Sequence, residues 1–402
     1  MKKSLLVAAL AVGFAGVAHA ESSVTLYGLV DLGFGYEQTK TSVGDEVTKV
    51  RKVGARQNVK NSSRWGLKGS EDLGNGTSAI FQLEGGFRPV TGESTQGGAL
   101  FGRKAIVGLT GESWGTFTIG RQYNLADDFI AGIDPFGTSF GQATAESTFG
   151  ASISARQTPT IKYLSPSFDG FKFGVAVISS DTKTTTTTAT TKTVEKTKTN
   201  GFSFGLGYNN GPVELGVAFD YNRNKKELNG KTDSDSKAKS WIVAGAYDFD
   251  VVKLHLGYGQ QRDGIVLNAN DTFGESSLLD ATESVVKEVG FTNTKGLRTQ
   301  AWFAGLTAPV GEAGKVIFGY QGGRIKHKAT MFENKATQFD GVRVNTHVYS
   351  LGYQHNLSKR THLYAIASYG QAKAKNYKAG GTSNVKLKAR STDFAVGLQH
   401  RF

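Results

Sequence analysis

Hydrophobic residues recur at every second position in many segments of this chain. In one of them Phe202, Phe204 and Leu206 alternate with Ser203 and with glycine. The same alternation runs through residues 171–177, 213–221, 252–258 and 394–402. Side chains two residues apart lie on one face of a β-strand, so each segment is predicted to be a strand with one apolar face and one small or polar face.

The connections between these segments alternate between short and long. The seven short connections are rich in Asn, Asp, Gly and Pro, as tight turns require, and lie at 71–76, 111–115, 165–170, 209–212, 248–251, 308–314 and 356–360. The eight long polar connections lie near 38–61, 88–99, 123–155, 181–200, 224–238, 262–297, 326–344 and 373–390. Seven turns and eight loops join sixteen strands.

Two arrangements could use such strands. A soluble sandwich would bury the apolar faces against each other, whereas a transmembrane barrel would turn them toward lipid. The barrel better explains the even strand number, the unequal connections, and the aromatic residues near strand ends, such as Tyr208, Tyr221, Tyr258 and Tyr369. We therefore predict an all-β fold, a 16-stranded antiparallel transmembrane β-barrel with short periplasmic turns and long extracellular loops.

The N-terminus has the pattern of a secretory signal peptide. Lys2 and Lys3 precede an apolar stretch at 5–18, and Ala18-His19-Ala20 forms an A-x-A cleavage site. Residues 1–20 are predicted to be removed, which leaves a single barrel domain at 21–402. The apolar stretch is too short to span a membrane as a helix, and no later segment has about 20 consecutive apolar residues.

Composition excludes several other classes of protein. The 402 residues include no cysteine, so disulfide scaffolds, thiol enzymes and cysteine-ligated metals are excluded. The seven histidines show no metal-ligand spacing, and we do not expect an enzyme. We expect no metal and no cofactor. The formal charge of +13 becomes +11 once Lys2 and Lys3 are removed, but no basic stripe alternates with aromatics, so nucleic acid is not an expected partner.

Several short motifs carry a resemblance to a known family. They are SVTLYG at 23–28, SRWGLKG at 63–69 with EDLG at 71–74, FQLE at 81–84, FGR at 101–103, VGL at 107–109, GTF at 115–117, IGRQ at 119–122 and the terminal Phe402. In this order they resemble the Gram-negative general porins, particularly the β-proteobacterial type. The resemblance implies a homotrimer in the outer-membrane lipid, with each barrel a water-filled channel for passive diffusion of ions and small hydrophilic solutes.

The same resemblance implies an inward-folded third loop and a role for the C-terminus. Phe402 matches the family's signal for the outer-membrane barrel assembly machinery. The segment near 123–155 contains no Lys or Arg but does contain Asp127, Asp128, Asp134 and Glu146. A loop this long inside a compact fold is usually functional, so we interpret it as the constriction loop and expect the three aspartates on its acidic side.

Basic strand residues are expected to face this loop. Trp65 and Leu67 point to lipid by alternation, so Arg64 and Lys68 point inward, and the same reasoning at 156–163 turns Arg156 and Lys162 inward. A charge on the lipid face near the middle of the membrane costs about 2–4 kcal/mol, which favours this assignment.

Two further arginines, Arg103 and Arg121, are assigned to the constriction although alternation alone does not place them inside, and for Arg103 the assignment is what the resemblance implies. Arg103 and Arg121 share strand parity with outward residues, and Arg121 could also lie at a rim of the pore. Glu84 is expected to point inward and to pair with an arginine. Arginines lining a narrow pore favour anions. The sequence thus predicts an anion-preferring diffusion porin, with a substrate-specific channel for sugars or organic anions as the alternative.

Overall fold

The computed structural model describes residues 23–263, 296–327, 343–379 and 383–402. The predicted signal peptide and most of the predicted loops at 262–297 and 326–344 lie outside these ranges. Within them, no helix has both the length and the apolar character needed to cross a membrane.

The described chain consists almost entirely of strands. Their bounds are β1 Ser23–Val43, β2 Glu46–Gln57, β3 Arg64–Asp72, β4 Thr77–Gly86, β5 Lys104–Gly111, β6 Gly115–Tyr123, β7 Arg156–Leu164, β8 Phe171–Thr187, β9 Lys192–Asn210, β10 Val213–Leu228, β11 Lys231–Asp248, β12 Lys253–Arg262, β13 Leu297–Val310, β14 Gly314–His327, β15 Arg343–Asn356, β16 Thr361–Ala379 and β17 Ser383–Arg401. The helices are α1 Leu125–Phe129 and α2 Glu146–Phe149, with 3-10 turns at Gln96–Gly98, Gly141–Ala143 and Gly150–Ser152.

These seventeen segments occupy sixteen positions in one closed antiparallel sheet. From β3 to β17 each strand pairs with the next, and β17 closes the barrel on β1 from Leu29 opposite Arg401. β2 pairs with residues 32–43 of β1, and β3 pairs with residues 23–29 of the same strand. Together β2 and β3 therefore form one interrupted strand. The predicted 16-stranded barrel is confirmed.

The interruption at residues 58–63 turns the chain inward. The Asp31 carboxylate accepts hydrogen bonds from the backbone N–H of Lys60 and Asn61 at 3.3 and 3.2 Å. Tyr364 Oη donates to the same carboxylate at 2.8 Å. These contacts fix the bend because they satisfy backbone groups that a continuous strand would have paired.

The two faces of the barrel follow the predicted alternation. On β9 the side chains of Phe202, Phe204 and Leu206 are exposed on the outer surface, while Ser203 and Gly205 face inward and are buried. An outer surface of large apolar side chains suits lipid, and inward small residues leave room inside the barrel.

The predicted loops at 38–61, 181–200, 224–238 and 373–390 were too long. Most of their described residues continue the strands as hairpins, such as β8 and β9, which are joined by a short turn at 188–191. The threonine-rich segment is polar, which suggested a loop. Threonine is also β-branched, and it extends a strand readily even where the strand has left the membrane.

Candidate pore constriction

Residues 124–155 lie against the inner wall of the barrel, between the end of β6 and the start of β7. A Cβ built on Gly205 would lie 2.3 Å from Cδ2 of Phe129, and one on Gly216 would lie 2.1 Å from the Phe129 carbonyl oxygen. A Cβ on Gly305 would lie 2.4 Å from Cγ of Pro135. The segment can approach the wall this closely because the wall residues beneath it are glycines, which have no side chain.

The main hydrophobic core lies between this segment and the wall. Side chains of the segment, among them Ile130, Ile133 and Phe149, pack on Ile242 and Phe303 of the wall. Full burial of side chains of this size contributes about 1.5–3 kcal/mol each. The segment is therefore held by the same apolar contacts that form the interior of a soluble domain.

Polar contacts fix the segment to the wall at its start and near its middle. Asn124 Nδ2 donates to Asp220 Oδ2 at 2.9 Å, next to the start of α1. Gln142 Nε2 donates to Ser368 Oγ at 2.7 Å on the far side of the lumen. Together with the core, these bonds span the barrel and hold the segment across its interior.

A cavity of about 240 Å³ remains between the segment and strands β3 to β7, and Arg64, Arg103 and Arg156 line it together. Tyr123 Oη accepts hydrogen bonds from Nη2 of Arg103 at 3.0 Å and from Nη2 of Arg156 at 2.5 Å. The Arg156 guanidinium also lies 4.7 Å from the centre of the Tyr123 ring. Arg103 Nε donates to Glu84 Oε1 at 2.7 Å, so the predicted pairing of Glu84 with an arginine is present.

The loop side of the cavity carries Asp127 and Glu146. Burial and the neighbouring Asp128 charge raise the pKa of Asp127 to about 6. Burial, with the Asp127 charge, raises the pKa of Glu146 well above its usual range, and Ser154 Oγ donates a hydrogen bond to the Glu146 carboxyl. The loop therefore carries less negative charge at neutral pH than its acidic residues suggest.

Four predicted residues lie elsewhere in the barrel interior. Lys162 Nζ pairs with Asp128 Oδ2 at 2.7 Å and so fastens α1 to β7. The Asp134 carboxylate accepts backbone N–H bonds from Thr138 and Ala145, at 2.9 and 3.0 Å, and stabilises a turn. Lys68 Nζ lies 5.6 Å from the centre of the Tyr27 ring, below the cavity on β3.

The assignment of Arg121 to the constriction is corrected by the structure. Arg121 is opposite Ala105, in the outward row of β6 that includes Ile119, and its Nε donates to the Gly102 carbonyl at 2.6 Å. Arg103 had the same apparent parity, but it precedes β5, where alternation no longer fixes direction, and its side chain turns inward.

Sequence reasoning missed Tyr123 and did not assign Glu146 to the constriction. Tyr123 is the last residue of β6, so its direction depends on how the chain turns into α1. Glu146 stood out in the sequence as an acidic residue of the loop, but its approach to the arginines depends on the path of the loop.

Phe402 closes the outward row of β17 that contains Phe394, Val396 and Leu398, all of them exposed. Its backbone N–H and carbonyl pair with those of Gly28 at 3.1 Å each. The C-terminal residue is therefore part of the barrel seam. Within the described ranges, no three His, Asp or Glu side chains come close enough together to hold a metal ion.

A closed lipid-facing barrel with a charged, loop-narrowed interior defines a transmembrane channel of the porin class. A family model described as Gram-negative porin matches residues 6–377, so the chain belongs to the Gram-negative porin family. It is an outer-membrane channel for passive diffusion.

Individual relatives agree with this family. An outer membrane porin protein of Bordetella pertussis is 37% identical over 424 aligned positions, covering 100% of both chains. Outer membrane porin protein 32 of Delftia acidovorans is 30% identical, again over 100% of both chains. Among solved structures, an anion-selective porin from Comamonas acidovorans has a TM-score of 0.62 at 24% identity, covering 95% of this chain and 100% of its own. The trimer form of OmpT, an outer membrane protein of Vibrio cholerae, has a TM-score of 0.56 at 14% identity, covering 95% of this chain and 99% of its own.

Proposed function

We propose that the cavity beneath the loop is the constriction of the pore and that it makes the channel prefer anions. The main support for this proposal is that Arg64, Arg103 and Arg156 line one cavity, where they lie close enough for their charges to repel. An arginine stays charged at every physiological pH, and a basic constriction lowers the barrier for anions.

The charge balance of the cavity supports this proposal. Glu84 neutralises one arginine, Arg103, through a direct salt bridge. The raised pKa of Glu146 lowers the negative charge of the loop, whereas Asp127, with a pKa of about 6, is still mostly ionised at neutral pH. The three arginines therefore exceed the charges of Glu84 and Asp127 by one. Tyr123 holds two of the guanidinium groups in place without cancelling their charge. The anion selectivity stated for the Comamonas porin agrees with a net positive constriction here.

A reversal potential in a KCl gradient across a planar bilayer tests the proposal. The wild-type channel should give a potential with the sign of chloride preference, and Arg64→Gln with Arg156→Gln should shift it toward cation preference by severalfold in permeability ratio, most at low salt. A matched control replaces two exposed lysines of the β8–β9 hairpin, Lys183→Gln with Lys192→Gln. A cation-selective wild type, or open double-mutant channels with unchanged potential, would contradict the proposal.

We also propose that the mature chain begins at Glu21 and assembles as a homotrimer. Family membership and the trimer form of the Vibrio cholerae protein support the trimer. N-terminal sequencing of protein from the outer membrane should begin at Glu21. Native mass measurement in mild detergent should give three times the mass of the mature chain, whereas a monomer in several detergents would contradict the assembly.

We further propose that Phe402 serves as a signal for the barrel assembly machinery. Its place at the end of an outward apolar row, paired with Gly28 at the seam, supports this role. Deleting Phe402 should lower the amount of heat-modifiable barrel in the outer membrane, while Phe394→Leu in the same row should not. Normal barrel levels in the deletion strain would exclude the role.

A further inference from the structure

A second basic cavity, of about 410 Å³, lies on the other side of the loop segment. Six cationic or imidazole side chains line it, namely Lys60, His255, Lys253, Lys315, His362 and Arg401. The last four lie beside the short turns, because β12, β14 and β16 begin there and β17 ends there. Short turns face the periplasm in outer-membrane barrels, so this cavity, here called the lower cavity, is on the periplasmic side.

Most of the positive charge in the lower cavity has no carboxylate partner in the described part of the chain. Lys253 Nζ pairs with Glu214 Oε1 at 2.5 Å, but neither Lys60 nor Lys315 makes a salt bridge with a described residue. Lys60 is buried, with its Nζ 6.0 Å from the centre of the Phe140 ring. Arg401 and Lys315 both add positive potential at Lys60.

The nearby acidic groups are already engaged. Asp134 is turned into its own loop, where backbone N–H groups donate to it. Asp31 lies near Lys60 but accepts hydrogen bonds from Tyr364 and Gln399 and from two backbone N–H groups. His255 is bonded through its two ring nitrogens to the Ile133 carbonyl and to Thr307 Oγ1. The lower cavity therefore has a surplus of buried or half-buried cations.

The two cavities share lining residues. Asn61 and Gly137 border both the arginine cavity and the lower cavity. The inward bend at 58–63 brings Asn61 to this boundary and places Lys60 just below it. An anion leaving the arginine cavity toward the periplasm would thus enter the lower cavity directly.

We propose that the lower cavity is a second anion-binding site, which holds polyvalent oxyanions at the periplasmic exit of the pore. Several converging ammonium and guanidinium donors match the spread oxygens of a phosphate or polycarboxylate group, and they bind it more strongly than a monovalent ion. The inference builds on the proposed function, since anions would arrive through the arginine cavity, but its test uses a different readout.

The test is block of chloride current by inorganic pyrophosphate added to each side of a bilayer in turn. Wild-type channels should be blocked more strongly from one side, and Lys60→Gln with Lys315→Gln should weaken that block about tenfold, equivalent to about 1.4 kcal/mol of binding. Lys183→Gln with Lys192→Gln on the outer hairpin is the matched control, and heat-modifiable mobility confirms that each variant folds. Repeating the titration with citrate shows whether phosphate or carboxylate is held better.

Three results would overturn the site. They are equal block from both sides, unchanged block in Lys60→Gln with Lys315→Gln, and equal weakening in the control pair. Failure of the proposed anion preference would appear separately, as a cation-selective reversal potential without pyrophosphate.

Discussion

The two sides of the barrel's inner wall differ sharply in character. The wall under α1 and the following turn is glycine-rich and apolar, and the loop packs on it through Phe129, Ile130 and Ile133. The wall formed by β3 to β7 presents Arg64, Arg103 and Arg156 to open space. The apolar side thus determines where the loop lies, and the charged side determines which ions would pass beside it.

The largest expected effect comes from filling the glycine wall. Gly216→Val would push side-chain carbons against the Phe129 carbonyl, which is backbone and cannot rotate away. We expect a loss of about 3 kcal/mol in unfolding free energy, the upper end for overpacking, and an altered single-channel conductance. Urea unfolding in detergent and bilayer recordings measure the two effects.

Gly245→Val is the control for that substitution. Gly245 lies on the neighbouring strand and faces outward, where a Cβ meets the flexible end of Leu215 at 2.9 Å. Wild-type conductance in Gly216→Val would show that the loop does not depend on close packing at this wall.

A smaller loss of unfolding free energy is expected at the salt bridge that fastens the loop to the wall. Asp128→Asn should lower the unfolding free energy by about 1–3 kcal/mol, because Lys162 would keep a buried ammonium group without its carboxylate. The exposed bridge between Asp181 and Lys198, at 3.3 Å, provides the control. Asp181→Asn should cost about 0–1 kcal/mol. Equal losses in the two variants would mean that burial of the first pair has no energetic consequence.

The charged side should respond to pH through Asp127. Because its pKa is raised to about 6, this carboxyl takes up a proton as the pH falls from 7.5 to 5, and its negative charge is lost. The charges of Asp128, Lys162, Lys104 and Arg156 also act on the Asp127 carboxyl. Anion preference should therefore rise at low pH by about twofold, given screening in water.

Asp127→Asn should remove this response and give the low-pH preference at both pH values. Reversal potentials measured in a KCl gradient at pH 7.5 and at pH 5 check this prediction. A pH response that persists in Asp127→Asn would assign the titration to another group.

The smallest effect is expected at Arg121. Its guanidinium lies in the outward row and bonds to Gly102 and Thr158, away from the arginine cavity. Arg121→Gln should leave the reversal potential unchanged, in contrast to the same change at Arg64. A comparable shift in both variants would return Arg121 to the constriction.

The sequence by itself determined the barrel, because alternation along each strand is a local property that lipid and lumen impose directly. It also identified the acidic loop, whose bounds agree with the end of β6 at Tyr123 and the start of β7 at Arg156. Arg64 and Arg156 followed from the same rule, since neighbouring residues on their strands face lipid.

Only the tertiary structure decided the directions of side chains at positions where the alternation stops. Arg103 and Tyr123 lie at strand ends, and their directions depend on the turns that follow or precede them. The pairing of Asp128 with Lys162, the burial of Glu146 and the meeting of Lys60 with Arg401 all join residues far apart in the chain. Such contacts depend on how the loop and the bend at 58–63 pack inside a closed wall, and no local periodicity encodes that packing.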